Sequence, residues 1–279
     1  MIRLGNIAYS NCYPIHAALC NPERRPSWLR VTTGAPTLLN AMLARAELDV
    51  APCSSIEIAR HADEYLALDG VCIGSDGPVD SILLFSRGPL DGLDGGRVAL
   101  STASATSRVL LRILLESKAA VRPRYHDFDD TGADPLDRDE AEAALFIGDA
   151  ALGRRKRPGE QVTDLGAAWT AWTGLPFVYA LWMIRADALE NPELPDLCRE
   201  ILNARHRTEE DLPRLADEAA RRFELDPDRL LSYWRSVRYQ YSGLMARGLQ
   251  LFFQYARDLE VISTVPEIRY YRPEEAATS

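Results

Sequence analysis

Seven small residues, Ser101-Thr102-Ala103-Ser104-Ala105-Thr106-Ser107, stand between an apolar run and the helical pattern RVLLRILLES. A segment of this kind at a strand-to-helix junction offers unpaired backbone N–H groups in a field that favours anions. Ser104, Thr106 and Ser107 add hydroxyl donors, and Ala105 adds no bulk, so a carboxylate clamp is expected there. Plain helix capping is the competing use of the same residue types. Ser54 and Ser55 occupy a second junction of this kind, where they can cap a helix or face a ligand across a cleft. Asn11, in YSNCYP, follows the first apolar run. Its amide can both donate to and accept from a substrate oxygen, although turns use the same residue type. In Gly148-Asp149-Ala150 the glycine permits close backbone approach to a ligand, and Asp149 can orient a hydroxyl or fix the loop. A carboxylate beside a doubly negative ligand repels it, so Asp149 is not read as the main base.

Other candidates carry less. Histidine is the usual general base near neutral pH, but His126 lies in RYHDF beside Asp127 and reads as a surface residue. Trp169, Trp172, Tyr179 and Trp182 can wall a ring-binding pocket, yet core packing is the commoner use of such residues. The five cysteines include no C-x-x-C, and the four histidines are scattered. A disulfide framework is therefore disfavoured and no metal site is assigned. No G-x-S-x-G elbow, Walker A loop, dinucleotide fingerprint or H-E-x-x-H motif occurs. Hydrolase, nucleotide-dependent and metalloprotease chemistry lose ground accordingly.

These side chains need elements to position them. The chain has 279 residues, 47% hydrophobic and 26% charged, which is a soluble globular composition long enough for two domains. Its formal net charge of −9 weighs against nucleic acid as the main partner. It leaves a homodimer neither required nor excluded. The longest apolar run, residues 177–184, is far short of a membrane span. Asn6, Ser10, Asn11 and Pro14 interrupt any signal-peptide core, so the N-terminus reads as mature fold and the location as cytoplasmic.

Short apolar runs alternate with helical stretches through the first 80 or so residues, with Pro14 and Pro36 placed to open helices. This β-α-β-α-β-α order favours a parallel sheet covered by helices. Residues 97–147 repeat the logic, with a loop and a short helix expected over 127–142. Residues 79–86 and 177–185 read as strands crossing between two α/β lobes. The expected division is 1–86 plus 177–279 for the first lobe, and 87–176 for an inserted second lobe, with a central cleft between them. From residue 191 onward the pattern is helical, with Pro195, Pro213 and Pro227 near helix starts and a frayed tail YYRPEEAATS.

The ordered series LGNIAYSNCYP, PTLLNAML, LDVAPCSSIEIAR, SDGPVDSILLFS, LSTASATSRVLLRILL, ALFIGDAAL and DLGAAWTAWTGLPFVYALW resembles the MqnA/MqnD family, on its MqnA side. The resemblance runs from about residue 4 to 182 and weakens to about 255. It implies a type II periplasmic-binding-protein-like fold with a helical C-terminal segment. It also implies dehydration of chorismate to 3-[(1-carboxyvinyl)oxy]benzoate in the futalosine route to menaquinone, by a hydro-lyase with no cofactor. It assigns catalytic parts to Asn11 and to Ser81, which by composition alone is an ordinary strand serine. It favours the clamp over the cap at Ser104, Ala105, Thr106 and Ser107; Ser54, Ser55, Gly148 and Asp149 join them as substrate-binding candidates from their positions alone. Two rivals remain at this point: an MqnD-like enzyme acting on cyclic dehypoxanthinylfutalosine, and a cytoplasmic module that binds a dicarboxylate without turning it over.

Overall fold

The computed structural model describes residues 1–130 and 132–273. The first lobe opens as the alternation requires, with β1 (Ile2–Ile7), α1 (Tyr13–Cys20), β2 (Leu29–Gly34), α2 (Pro36–Ala44), β3 (Val50–Ser54) and α3 (Ile56–Arg60). Pro14 and Pro36 sit in the first turns of α1 and α2, where a missing N–H costs no helical bond. β1 pairs in parallel with β2 and with β3. β4 (Tyr65–Ser75) and β10 (Phe177–Arg185) complete the sheet with the short β11 (Tyr270–Tyr271), in the order β11-β4-β10-β3-β1-β2. β10 is antiparallel to both of its neighbours and buried along Phe177 to Ile184, which accounts for its unbroken apolar run.

The second sheet has the order β7-β6-β8-β5-β9, built from β5 (Ile82–Ser86), β6 (Arg97–Ser101), β7 (Arg124–Phe128), β8 (Ala143–Ile147) and β9 (Gln161–Asp164). β6 is parallel to β7 and β8, whereas β5 runs antiparallel between β8 and β9. The lobe boundary therefore differs from the one expected at residue 86. Ile82, Leu84 and Phe85 are buried within the second sheet, and the chain changes lobes before them. Gly77 and Asp80 take positive φ at this crossing. The Asp164 carboxylate pins it, accepting from Val79 N (2.9 Å) and Asp80 N (2.8 Å) while its other oxygen caps α6 (Leu165–Thr173) through Ala167 N (3.0 Å).

α4 (Ala105–Arg112) continues as a π-helix over Ile113–Lys118. The short helix expected over 127–142 is absent among the described residues, where turns follow β7. Residues 148–150, expected as loop, instead open α5 (Asp149–Gly153). Two helices expected after residue 191 are one, α7 (Leu194–Phe223), with Pro213 inside it. Pro213 and Glu209, whose carbonyl loses a donor, both face water, so the helix continues without a buried orphan. α8 (Pro227–Ser236) and α9 (Gly243–Asp258) follow, and Tyr270 and Tyr271, expected to fray, pair with β4. Residues 274–279 of that tail lie outside the described residues. α9 crosses the start of β10 so closely that a Cβ on Gly248 would lie 2.0 Å from the Pro176 carbonyl oxygen. No helix among the described residues is long and apolar enough to cross a membrane.

A buried guanidinium organises the second lobe. Arg154 donates to Asp134 (2.8 Å) and twice to Glu160 (2.9 and 2.7 Å), and it lies 3.8 Å from the Phe85 ring centroid. Arg154→Ala removes the buried counter-ion of two largely buried carboxylates and leaves them only the more exposed Arg157, 3.2 Å from Asp134 and 3.8 Å from Glu160. Urea unfolding should show a loss of about 3–5 kcal/mol, with Arg154→Lys intermediate because it keeps the charge but not the fork. A loss below about 1 kcal/mol, the worth of an exposed pair, would contradict this role.

Candidate functional site

The parallel strands end where the lobes meet, which is where ligands collect in α/β folds. Ser10–Cys12 forms a tight turn between β1 and α1. Its carbonyls are held from the C-terminal helical region: Trp234 Nε1 donates to Ser10 O and Tyr239 Oη donates to Asn11 O, both at 2.9 Å. Ser81, on the crossing, accepts from Tyr233 Oη at 2.9 Å, and its carbonyl accepts from Gly148 N at 2.7 Å. Burial pushes the Tyr233 phenol well above its ordinary range, so it is protonated and must donate. That leaves the Ser81 proton free for another acceptor. The Asn11 amide lies beside the same phenol, and its Oδ1 is buried with no hydrogen-bond partner. An open acceptor and an open donor thus flank one phenol.

The second junction is closed on itself. Ser55 Oγ donates to Val178 O (2.8 Å), so its contact with Thr106 Oγ1 (3.2 Å) must be donated by Thr106. Thr106 in turn accepts from Ile56 N at 3.1 Å. Both hydroxyls, expected to face a ligand, are fully buried and joined to one another across the lobes. Ser104 caps α4 by accepting from Ser107 N (3.3 Å), and the two hydroxyls lie 3.0 Å apart. The first-turn amides left for an anion are those of Ala105 and Thr106. Ser54 is buried at the end of β3, opposite Ala180 of β10.

A third contact also spans the lobes. Asp149, the first residue of α5, accepts from Ser10 N (3.2 and 3.1 Å to its two oxygens) and from Ser10 Oγ. Burial raises its pKa, and the two Ser10 bonds oppose that rise. Gly148 has φ +61°, and a Cβ there would lie 2.9 Å from the Tyr9 ring, so both its conformation and its neighbour select glycine. Asp130, beside Tyr9, has both carboxylate oxygens buried without a geometrically sound partner. Burial pushes its pKa up to about 6 from 3.8.

The remaining sequence candidates lie apart. His126 is on β7, the outermost strand of its sheet. Trp169 and Trp182 are core residues, and Trp182 Nε1 donates to His16 Nε2 at 2.8 Å. Burial drops His16 to about 3, so it is neutral and its Nδ1 proton is directed to Asn6 Oδ1, 3.0 Å away. Sequence reasoning did not find Tyr9, Ser10, Asp130, Tyr233, Trp234 or Tyr239. The run SYWRSVRYQY held a signal, since aromatics with polar tips need partners when buried.

A carboxyl whose folded pKa exceeds its unfolded one takes up protons on folding, so its presence favours the fold at low pH and opposes it once pH passes the folded value. Asp130→Asn should therefore raise Tm at pH 7.5, with the gain shrinking towards pH 4. Thermal melts of both proteins across that window test this, and an unchanged or lower Tm at pH 7.5 would contradict it.

The chain is 32% identical over 265 residues to the chorismate dehydratase of Thermus thermophilus, covering 89% of this chain and 93% of that one. It is 28% identical over 179 residues to the chorismate dehydratase of Campylobacter jejuni, covering 63% and 64% respectively. A 1,4-dihydroxy-6-naphtoate synthase of Thermus thermophilus matches at 32% identity over 151 residues, 53% of each chain. Among solved structures, a protein of Archaeoglobus fulgidus superposes with a TM-score of 0.77 at 19% identity, covering 94% of this chain and 98% of that one. The periplasmic aliphatic sulphonate binding protein SsuA of Escherichia coli superposes with a TM-score of 0.64 at 16% identity, covering 100% and 94%. At those identities the likeness shows the fold alone, a two-lobed periplasmic-binding-protein-like α/β architecture with a helical C-terminal region. The family model for menaquinone biosynthesis, VitK2_biosynth, matches residues 2–258, and the chain belongs to that family.

Proposed function

We propose that the protein is a chorismate dehydratase, forming 3-[(1-carboxyvinyl)oxy]benzoate and water at the lobe junction. The observation that carries the reading is the convergence of Asn11 and Ser81 on the Tyr233 phenol, with an unpartnered acceptor on one and an uncommitted hydroxyl proton on the other. The match to the Thermus thermophilus chorismate dehydratase over nearly the whole of both chains supports it. The naphtoate synthase matches only 53% of its own length, which favours chorismate over a cyclic futalosine derivative.

In this reading the first-turn amides of Ala105 and Thr106 hold one carboxylate, where the helix field favours an anion. Ser81 donates to the departing hydroxyl, and Asn11 aligns the ring. Elimination breaks the C–H bond at the carbon bearing the enolpyruvyl ether and the C–O bond at its neighbour. Aromatisation supplies the driving force. The proton passes to the substrate's own enolpyruvyl carboxylate and from there to the departing hydroxyl, which leaves as water; the Asp149 carboxylate already serves Ser10 in two directions. Asp149 and Gly148 then shape the site rather than titrate in it. The five cysteines are all free, four of them buried, which suits a reducing, cytoplasmic setting.

Incubation with chorismate, without added metal or nucleotide, should yield a product lighter by one water on mass detection. Ser81→Ala and Asn11→Ala should each lower kcat by about 10²–10³, the worth of a positioned donor, with the fold intact by circular dichroism. Binding without turnover would favour the non-catalytic rival, and turnover of cyclic dehypoxanthinylfutalosine instead would favour the other enzyme.

Thr106→Val separates clamp from cap. It strands the Ile56 amide and loosens the helix start that faces the acid, so KM for chorismate should rise about tenfold with a smaller change in kcat. An unchanged KM would remove the Thr106 side chain from substrate binding.

A further inference from the structure

A second polar hollow lies behind the wall that holds the Ser10–Asn11 carbonyls. It encloses about 560 Å³, within the ordinary range for small-molecule sites, and Trp234 and Tyr239 form part of its lining. Arg205, Arg235 and Arg238 also line it, with Glu209 as the one carboxylate in the lining. In a chain with a net charge of −9, three arginines gathered against a single carboxylate are unusual. Arg205 is the telling member. Its Nε is buried with no partner, and one of its terminal N–H groups donates to His206 Nε2 at 2.7 Å. Burial lowers the Arg205 pKa, as expected for a guanidinium that has lost water without gaining a carboxylate. Arg238 is held at its base. Its backbone N–H donates to Gly74 O (2.7 Å), and its Nη1 donates to the Arg235 carbonyl (3.0 Å).

Guanidinium groups recognise carboxylate and phosphate oxygens through paired N–H donors. Three of them around one hollow fit an ion with several negative charges and little bulk. Trp234 and Tyr239 line this hollow, yet their polar atoms hold Ser10 O and Asn11 O at the lobe junction. Anything that shifts the wall is felt by the turn that carries Asn11.

We propose that this hollow is a regulatory site, separate from the lobe junction, for a compact polyanion bearing phosphate or several carboxylates, and that Trp234 and Tyr239 couple its occupancy to the Ser10–Asn11 turn. The proposal does not depend on the reaction at the junction, and its test reads binding rather than turnover. Isothermal titration of the full chain with pyrophosphate and, separately, with citrate should show saturable one-to-one binding of at least one. The tighter of the two assigns the anion class. The double variant Arg235→Gln/Arg238→Gln changes exposed residues outside the core and should weaken that binding at least about tenfold, or about 1.4 kcal/mol. Glu209→Gln, which removes the one opposing charge, should tighten it. In ¹⁵N-labelled protein the backbone amides of Asn11 and Cys12 should shift on saturation of the wild type and stay in place in the double variant. No saturable binding of either anion, or binding that the double variant leaves unchanged, would overturn the site. Binding without movement of those two amides would overturn the coupling.

Discussion

A buried hydroxyl must spend its proton on a partner, and the lobe junction is arranged around that requirement at Tyr233. The phenol is fully enclosed and protonated, and it donates to Ser81. Ser81 is thereby an acceptor towards the phenol, and its own proton is left for another acceptor. The Asn11 amide meets the same phenol, so two residues 70 positions apart share one reference point. Trp234 and Tyr239 extend the arrangement by gripping the carbonyls of Ser10 and Asn11. A helix after residue 226, remote in sequence from every strand end, therefore sets the geometry of the turn after the first strand and of the crossing between lobes.

The same economy governs how the lobes meet. Ser55 with Thr106, and Ser10 with Asp149, exchange hydrogen bonds across the junction. These hydroxyl and carboxylate partners satisfy each other while the lobes are drawn together. Asp130 is the exception, a carboxyl kept buried without a sound partner at a cost to the fold. Groups held in that condition cluster at functional sites.

Much of the architecture was legible in the sequence because it follows from local rules. Pro14 and Pro36 mark helix starts, the unbroken apolar runs at 143–147 and 177–184 mark strands buried on both faces, and the β-α alternation implies parallel pairing. The two strand-to-helix junctions and Asn11 could be singled out as candidates because small polar residues gather there, although caps and turns use the same residue types. The lobe boundary was harder. Residues 82–86 look the same whether their buried neighbours are β4 or β8, and only pairing decides it. Pro213 misled for a related reason, since a proline tolerated on a solvent-facing turn is indistinguishable in sequence from one that begins a helix. Tyr233, Trp234 and Tyr239 were out of reach because their partners lie more than 150 residues away, and helical spacing gives no direction to a polar tip.

The family and the polar network are what support the proposal of a small acid seated between the lobes. The most direct measurement is a crystal structure of the protein with 3-[(1-carboxyvinyl)oxy]benzoate bound. The account predicts one carboxylate on the Ala105 and Thr106 amides and the ring within hydrogen-bonding reach of Asn11 and Ser81, with the Tyr233–Ser81 bond kept. A product molecule lodged away from Asn11, Ser81 and the α4 amides, with the junction unchanged, would contradict it.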